Sequence, residues 1–383
     1  MAKEVTRHVA EATKCFLWGR AAGRCEFAGC NATLWKSQVT QEPVNRAQKA
    51  HIYSYSKNGP RGNEPLDLSE INDLSNLMLV CHQCHQTIDK DRAGVKYSAE
   101  LLSGWKACHE RRIEIVTGID PTRSSHVLLY GANIGMQSSP LSFDFASKAL
   151  FPDRYPAEDR PIGLSTVNSS FLDRDVEFWS FEKTNLRRKF DQRVRERLAD
   201  GSIQHMSVFA LAPQPLLILL GTLLSDINQV DVFQLSREPQ GWKWQDGSDD
   251  LKLIVEEPTQ VNGPPALILS LSATIVSSRI TTVLGGSPTI WRVSIREPHN
   301  DLLRSRSQLR EFRHRLRRLM DRMKFVHGQD ALLHIFPAAP VSIAVELGRI
   351  RQPKADMSWR IYDQVNGLGG FVPALEIGTG ETV

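Results

Sequence analysis

Cysteine is scarce, 6 in 383 residues. That excludes the dense disulfide framework of a small secreted scaffold. Long apolar runs are missing too. No stretch reaches the ~18 residues of a membrane span. The apolar segment 216–224 is short enough to belong in a core, so no membrane is expected as a partner. Neither sign of charge is in large excess. Lys and Arg total 47 against 43 Asp and Glu, a net +4, which is compatible with nucleic acid without pointing to it. Residues 1–20 are charged and hold no apolar core of signal-peptide length, so a cytoplasmic location is expected. The length suits two or three domains.

Four of the six cysteines fall in two short-spaced pairs, Cys25 with Cys30 and Cys81 with Cys84. Without an export signal, such pairs read as the ligands of one closed tetrahedral Zn²⁺ rather than as disulfides. A zinc site alone says only that a small module needs a staple. Cys15 and Cys108 are left over and read as small buried residues. Inside the cysteine frame stand His51 in Ala50-His-Ile52, then Asn76, then His85 directly after Cys84. One metal ion and one general base are what hydrolysis of a phosphodiester requires.

This combination resembles the HNH nuclease family with its ββα-metal core, over about residues 24–90. The resemblance implies that His51 is the general base, that Asn76 fixes the loop holding it, and that His85 binds the catalytic ion, Mg²⁺. Many family members carry an acidic residue or a second His directly before the base. Here that residue is Ala50, which leaves the second metal ligand open among Asp89, Asp73 and His82. Lys49, Lys57, Arg61, Lys90, Arg92, Lys96, Arg111 and Arg112 supply positive charge able to neutralise phosphates. No base-reading element is visible, so little sequence specificity is expected.

Past a boundary at 118–125 the pattern alternates. Strands are predicted at 126–131, 206–211, 230–235, 251–256, 266–272, 280–284, 290–295 and 332–336. Helices are predicted at 181–199, 216–225, 305–326 and 341–350. This alternation argues for α/β with mostly parallel sheets. One form occurs twice, in Val208-Phe-Ala-Leu-Ala-Pro-Gln-Pro-Leu216 and His334-Ile-Phe-Pro-Ala-Ala-Pro-Val341. Each is an apolar strand, two closely spaced prolines and an apolar helix. Such turns set helix N-termini at the carboxyl edge of a sheet, where nucleotides bind. Two unrelated turns would look the same, since proline is common in a first helical turn.

Those turns, with Val232-Phe-Gln234, Arg237, Trp242-Lys-Trp244, Leu269-Ser-Leu-Ser-Ala273, Ala344-Val-Glu-Leu-Gly-Arg349 and Ile361-Tyr-Asp363, resemble the SAVED domain over about 126–380. That domain is a cyclic-oligonucleotide sensor made of two fused Rossmann-like, CARF-related units. The resemblance implies a cyclic di- or trinucleotide as activator. Ligand contacts are expected from Gln214, Pro215, Phe336 and Ala339 at the turns. Gln234 and Arg237 would follow from the next strand, and Trp179 and Arg187 from the first half. Trp244 and Trp359 could stack on bases, although core packing suits a tryptophan better. The basic helix with Arg310, Arg313, Arg315, Arg317 and Arg318 reads as a solvated face or an oligomer contact.

The sequence thus leads to an α/β multidomain chain. A zinc-stapled ββα-metal (HNH) nuclease module occupies 1–120, and two fused Rossmann-like (CARF-related) units occupy 121–383. Together the halves resemble the HNH–SAVED effectors of the bacterial anti-phage system CBASS. This implies a Mg²⁺-dependent endonuclease of the bacterial cytoplasm. It would degrade double-stranded DNA when a cyclic di- or trinucleotide drives assembly of a homo-oligomer, a dimer or tetramer. Two rivals stay open. One is a restriction-type HNH nuclease whose C-terminal domain recognises modified DNA. The other is a non-catalytic chain whose HNH module lost a metal ligand at Ala50.

Overall fold

The computed structural model describes residues 8–54, 59–61, 67, 70–135, 141–166, 171–245, 250–365 and 370–378. Lys57, one of the cations named above, lies outside them. The chain divides into two compact units, Met1–Asp120 and Pro121–Val383.

The first unit contains α1 (Glu11–Arg20), β1 (Ala47–His51), β2 (Leu77–Cys81), α2 (His82–Lys90) and α3 (Ala99–Thr117). β1 and β2 pair antiparallel, with His51 opposite Leu77 and Ala47 opposite Cys81. The Leu-Met-Leu-Val-Cys run of β2 is buried at every position, so it forms the spine of a small core with Leu17, Leu34, Ile52, Ile88 and Leu102. β2 runs straight into α2, where Cys81 stands at the N-cap and its sulfur accepts from the Cys84 N–H. Ser98 caps α3 by accepting from the Leu101 N–H. Cys15 and Cys108 are exposed, against the expectation of burial. The inward faces of α1 and α3 are taken by Leu17 and by Leu102, Lys106 and His109.

The second unit contains β3 (Ser124–Gly131), α4 (Val176–Phe190), β4 (Met206–Leu211), α5 (Gln214–Leu224), β5 (Val230–Val232), β6 (Ile254–Glu256) and β7 (Pro265–Ser270). It continues with α6 (Ser277–Leu284), β8 (Thr289–Ser294), α7 (Arg306–His327), β9 (Leu332–Ala338), α8 (Val341–Arg349), β10 (Ser358–Val365) and β11 (Gly370–Ile377). β3, β4 and β5 form a parallel sheet, and short segments at 155–156 and 162–163 add to β3 in the same sense. The second sheet runs β6-β8-β7-β9-β10-β11. Its four interior strands are parallel and its two edge strands antiparallel. β7 is buried at all its positions, as expected of a parallel strand covered on both faces.

Helices α5 and α8 are buried from Pro215 to Leu224 and from Ser342 to Arg349. Apolar nearly all round, α5 belongs inside the unit rather than on its surface; α8 buries Ser342, Glu346 and Arg349 with partners, Ser342 on Gln234 and Glu346 with Arg349 and Arg313. The stretch 280–284, expected as a strand, is the end of α6. Its Ile-Thr-Thr-Val run suits a strand by propensity. Yet Ile280 is buried beside Ile268 and Phe336, with Val283 and Leu284 packed on the same cluster. That spacing of three and four residues is helical. α7 is fixed by a capping box between Ser305 and Gln308. Several of its arginines are spent within the fold: Arg313 pairs with Glu346, and Arg317 with Asp356 and Asp321. Among the described residues, no helix is long and apolar enough to cross a membrane.

Candidate active site and ligand cleft

The four paired cysteines converge. The sulfurs of Cys25, Cys30, Cys81 and Cys84 all lie within 4.8 Å of one another. Thiolates at a tetrahedral Zn²⁺ with Zn–S near 2.3 Å sit about 3.8 Å apart, so this cluster fits that ion. Two backbone N–H groups already point at sulfur, Cys81 N–H to Cys25 at 3.3 Å and Cys84 N–H to Cys81 at 3.4 Å. Burial first, and the neighbouring cysteines after it, push the Cys25 thiol up to about 12 and raise Cys84 as well. Bound zinc supplies the positive charge that makes such thiols thiolates.

Beside this staple lies a cleft of about 480 Å³ lined by Lys49, His51, Arg61, His85 and Asp89 among others. The strand β1 presents His51 and the helix α2 presents His85 and Asp89. His51 Nε2 lies 3.1 Å from Asn72 Oδ1. With the amide so placed, Nε2–H donates and Nδ1 keeps its lone pair. Asn76 is buried behind His51. Its Oδ1 accepts from the Tyr53 N–H at 2.7 Å, and its amide donates to the Tyr53 and Ile71 carbonyls at 3.0 and 2.9 Å. It ties the chain after His51 to the turn before β2. His85 Nδ1 lies 3.3 Å from an Asp89 oxygen, one helical turn on. A histidine and a carboxylate are donors that a divalent cation accepts, with water and substrate oxygens completing the shell. Of the three candidates for a second ligand, Asp89 lines this cleft, and Asp73 and His82 do not.

Arg61 differs from its expected role as a surface cation. It is 7 % exposed, and its Nε donates to the Ile52 carbonyl at 2.6 Å. Its other nitrogens reach the carbonyls of His51, Ile88 and Tyr97 at 3.5 Å. It therefore clamps the end of β1 to α2. Lys49 remains exposed at the cleft.

The second unit has a cleft of about 640 Å³ where the carboxyl ends of both sheets meet. Ile134 and Gly135 follow β3, Ala212 to Gln214 follow β4, and Ser272 and Ala273 follow β7. Pro337 to Ala339 end β9, Asp363 and Gln364 end β10, and Leu172 to Arg174 precede α4. The two proline turns face each other here, because Gln214 Oε1 accepts from the Ala339 N–H at 3.1 Å. Burial, with Asp173 nearby, pushes the Asp363 carboxyl up to about 7.

Of the expected ligand contacts, Gln214 and Ala339 line this cleft, and the other six do not. Gln234 is buried, and its Oε1 accepts from both the N–H and the hydroxyl of Ser342, capping α8. Pro215 is buried in the first turn of α5. Phe336 stacks on Tyr362 at 4.3 Å inside the core, because its side chain points to the face of the sheet covered by α6. Trp179 packs edge-on to Phe178. Arg237 is exposed, with its backbone N–H on the Asp301 carboxylate. Arg187 lies in the last turn of α4, away from the lining. Trp359 is fully buried in the main core. The residues missed were Asn72, Asp173 and Asp363. Asp363 stood in the sequence within the Ile361-Tyr-Asp363 stretch that resembles SAVED, a signal that could have nominated it.

Comparisons with known proteins match both parts of the chain. Residues 186–377 match the family model for the SMODS-associated and fused to various effectors sensor domain, SAVED, and residues 25–96 match that of HNH endonuclease. A search of curated proteins gave no significant match. Among solved structures, the chain is similar to the SAVED/CARF-domain containing receptor Cap4 of Acinetobacter baumannii with the cyclic trinucleotide 2′3′3′-cAAA. The identity is 14 % and the TM-score 0.42, covering 82 % of this chain and 62 % of that one. Cap4 of Moraxella osloensis gives 12 % and 0.37, covering 83 % and 62 %. The chain thus spans under two thirds of the length of these receptors. By the extent of its SAVED match, preceded by an HNH endonuclease match, this chain belongs to the SAVED family as an HNH–SAVED fusion.

Proposed function

We propose that the chain is a metal-dependent DNA endonuclease gated by a cyclic oligonucleotide. One observation carries this reading. His51 and His85 share a cleft in the segment matching HNH endonucleases, and a second cleft opens at the carboxyl edges of two parallel sheets in the part of the chain that carries the SAVED match. The sheets support taking residues 121–383 as two fused Rossmann-like, CARF-related units, with the nuclease module in 1–120.

Hydrolysis of a phosphodiester needs an activated water and relief of the charge on the leaving 3′ oxygen. His51 is the base. Its Nε2–H is committed to Asn72, so Nδ1 takes the proton from water. Arg61 holds the His51 and Ile52 carbonyls and Asn76 holds Tyr53, so the backbone leaving His51 is fixed and the base is set relative to α2. Mg²⁺ held by His85 and Asp89 would supply positive charge at the leaving oxygen. Lys49 offers a contact to the phosphate backbone that carries no sequence information. Double-stranded DNA is the substrate in this reading. Each HNH module cuts one strand, so double-strand breaks call for two modules. Ligand binding would bring them together in a homo-oligomer, a dimer or tetramer. Anti-phage defence of the CBASS kind in the bacterial cytoplasm is the setting.

Plasmid cleavage in Mg²⁺, with and without a panel of cyclic di- and trinucleotides, tests the reading. Cutting that appears with one ligand is expected. Ligand-free cutting that follows DNA modification would favour the restriction-type enzyme, and no cutting under any condition a dead module.

A further inference from the structure

The carbonyl bonds of Arg61 leave part of its guanidinium unspent. A guanidinium has five N–H donors and no acceptor, and it stays charged in proteins. Arg61 gives four of the five to backbone carbonyls, Nε to Ile52, Nη1 to Ile88 and Tyr97, and Nη2 to His51. The second N–H on Nη2 has no acceptor among the described residues. Nη2 is also the nitrogen that reaches the backbone of the base. The free donor therefore stands beside His51, on a side chain that lines the cleft together with His85 and Asp89.

The charge is uncommitted as well. Among the described residues no carboxylate forms an ion pair with Arg61, and Asp89 and Asp91 act on it only at longer range. Burial pulls the guanidinium below its ordinary value, and those two carboxylates oppose the pull. A clamp on carbonyls needs donors and not a charge. A buried cation held by dipoles alone is costly in the empty site and gains most when an anion is brought to it.

The backbone is bent to hold this side chain. Arg61 sits at φ +57°, in the left-handed region that residues other than glycine rarely adopt, and its N–H donates to the Arg92 carbonyl at 3.1 Å. Gly94 leaves room for the stem, since a Cβ there would fall 2.7 Å from Arg61 Cγ. Backbone strain of this kind clusters at sites that use it. We propose that Arg61 is a catalytic residue of the nuclease, whose free Nη2–H binds a non-bridging oxygen of the scissile phosphate and whose charge stabilises the negative charge that builds there as water attacks. The bond from the water oxygen to phosphorus forms as the bond to the 3′ oxygen breaks, and the water proton passes to His51 Nδ1. Arg61 transfers no proton. This inference rests on the nuclease reading above and adds to it a cation supplied by the protein itself.

The test is plasmid cleavage by the full chain in Mg²⁺, under the condition of the cyclic-nucleotide panel that gives cutting. Arg61→Gln should lower kcat by about 10²–10³-fold. Arg61→Lys, which keeps the charge but not the planar fork, should lose less. The shape of the pH profile should stay that of the wild type, because His51 still takes the proton. Inorganic phosphate competes for the same contact. It should inhibit the wild type, and inhibition of Arg61→Gln should need roughly tenfold more phosphate. Equal phosphate inhibition of wild type and variant overturns the proposal, and with a shifted pH profile it leaves Arg61 as a clamp on the base. Unchanged cutting by Arg61→Gln overturns it too. If that variant fails to fold, Arg61→Lys decides, since it should also need more phosphate and an unaltered requirement overturns the proposal. No cutting by the wild type under any condition would instead remove the nuclease reading, and this inference with it.

Discussion

Gly221 and Gly348 meet where α5 and α8 cross. Each stands seven residues after the first residue of its helix, Gln214 and Val341. A Cβ on Gly221 would fall 1.9 Å from the Val345 carbonyl oxygen, and one on Gly348 would fall 2.0 Å from that of Ile218. Those carbonyls also hold equal positions, four residues into each helix. Both helices have a proline at the N-cap, Pro213 and Pro340. The repeated strand–proline–helix form of the sequence is therefore a local two-fold relation between halves, and its glycines let two backbones approach.

Gly221→Ala and Gly348→Ala should each destabilise the second unit by about 1–3 kcal/mol, since backbone on the facing helix must move. Urea unfolding measures this. Gly104, in α3, has nothing within 4 Å of a Cβ. Its change to alanine should stabilise by about 0.5–1 kcal/mol. Neutral effects at the crossing would contradict the packing described.

Stripping zinc with a chelator, or changing Cys84 to Ser, should unfold the first unit, because the four cysteines tie the segment before β1 to β2 and α2 within its core. Limited proteolysis should then cut within 8–120 while the second unit stays protected. Full protection of the first unit after verified metal loss would show the cluster to be dispensable.

His51→Ala should lower the cleavage rate by about 10²–10⁴-fold with folding and zinc content unchanged. Asn72→Ala frees the tautomer without removing the base, so a smaller loss of about 10–100-fold is expected, with a shifted pH profile. Asp89→Asn should raise the Mg²⁺ concentration needed for half-maximal cutting. Unaltered Mg²⁺ dependence would remove Asp89 from the metal site.

Asp231 supplies a pH dependence. Burial would raise its carboxyl. A hydrogen bond and charge from His205, with Arg306 and Arg154, hold it instead at about 2. His205 is in turn braced by Ser125 at 2.9 Å. A carboxyl depressed in the folded state stabilises above its unfolded value near 4 and loses that contribution as pH falls through about 2. Allowing for its partial exposure, the term is on the order of 1 kcal/mol. Thermal melts between pH 2 and 6 should show Asp231→Asn less stable than wild type at pH 6 and level with it near pH 2.

The sequence carried much of this. The cysteine pairs and the His–Asn–His order came from spacing, and both proline turns came from repeated pattern. Periodicity located the long helices because their apolar faces are continuous. It failed at Ile280 to Leu284, where β-branched residues belong to a helix held by tertiary packing. Ligand contacts were harder. Phe336 sits beside the cleft in sequence but turns inward, since alternate residues of a strand face opposite ways, and Gln234, past the end of β5, is drawn to the first turn of α8 by Ser342. Asn72 is a polar residue with no motif, and its place beside His51 comes from a neighbour far along the chain.

The most direct test of the gating claim is plasmid cleavage in Mg²⁺ during titration with the cyclic oligonucleotide that binds tightest. Wild type should be compared with His51→Ala and with Ala273→Trp, a bulky side chain at an exposed cleft position. Cutting by wild type that rises with ligand occupancy, lost in His51→Ala and shifted to much higher ligand in Ala273→Trp, is the expected result. Equal cutting by wild type with and without ligand would contradict the account.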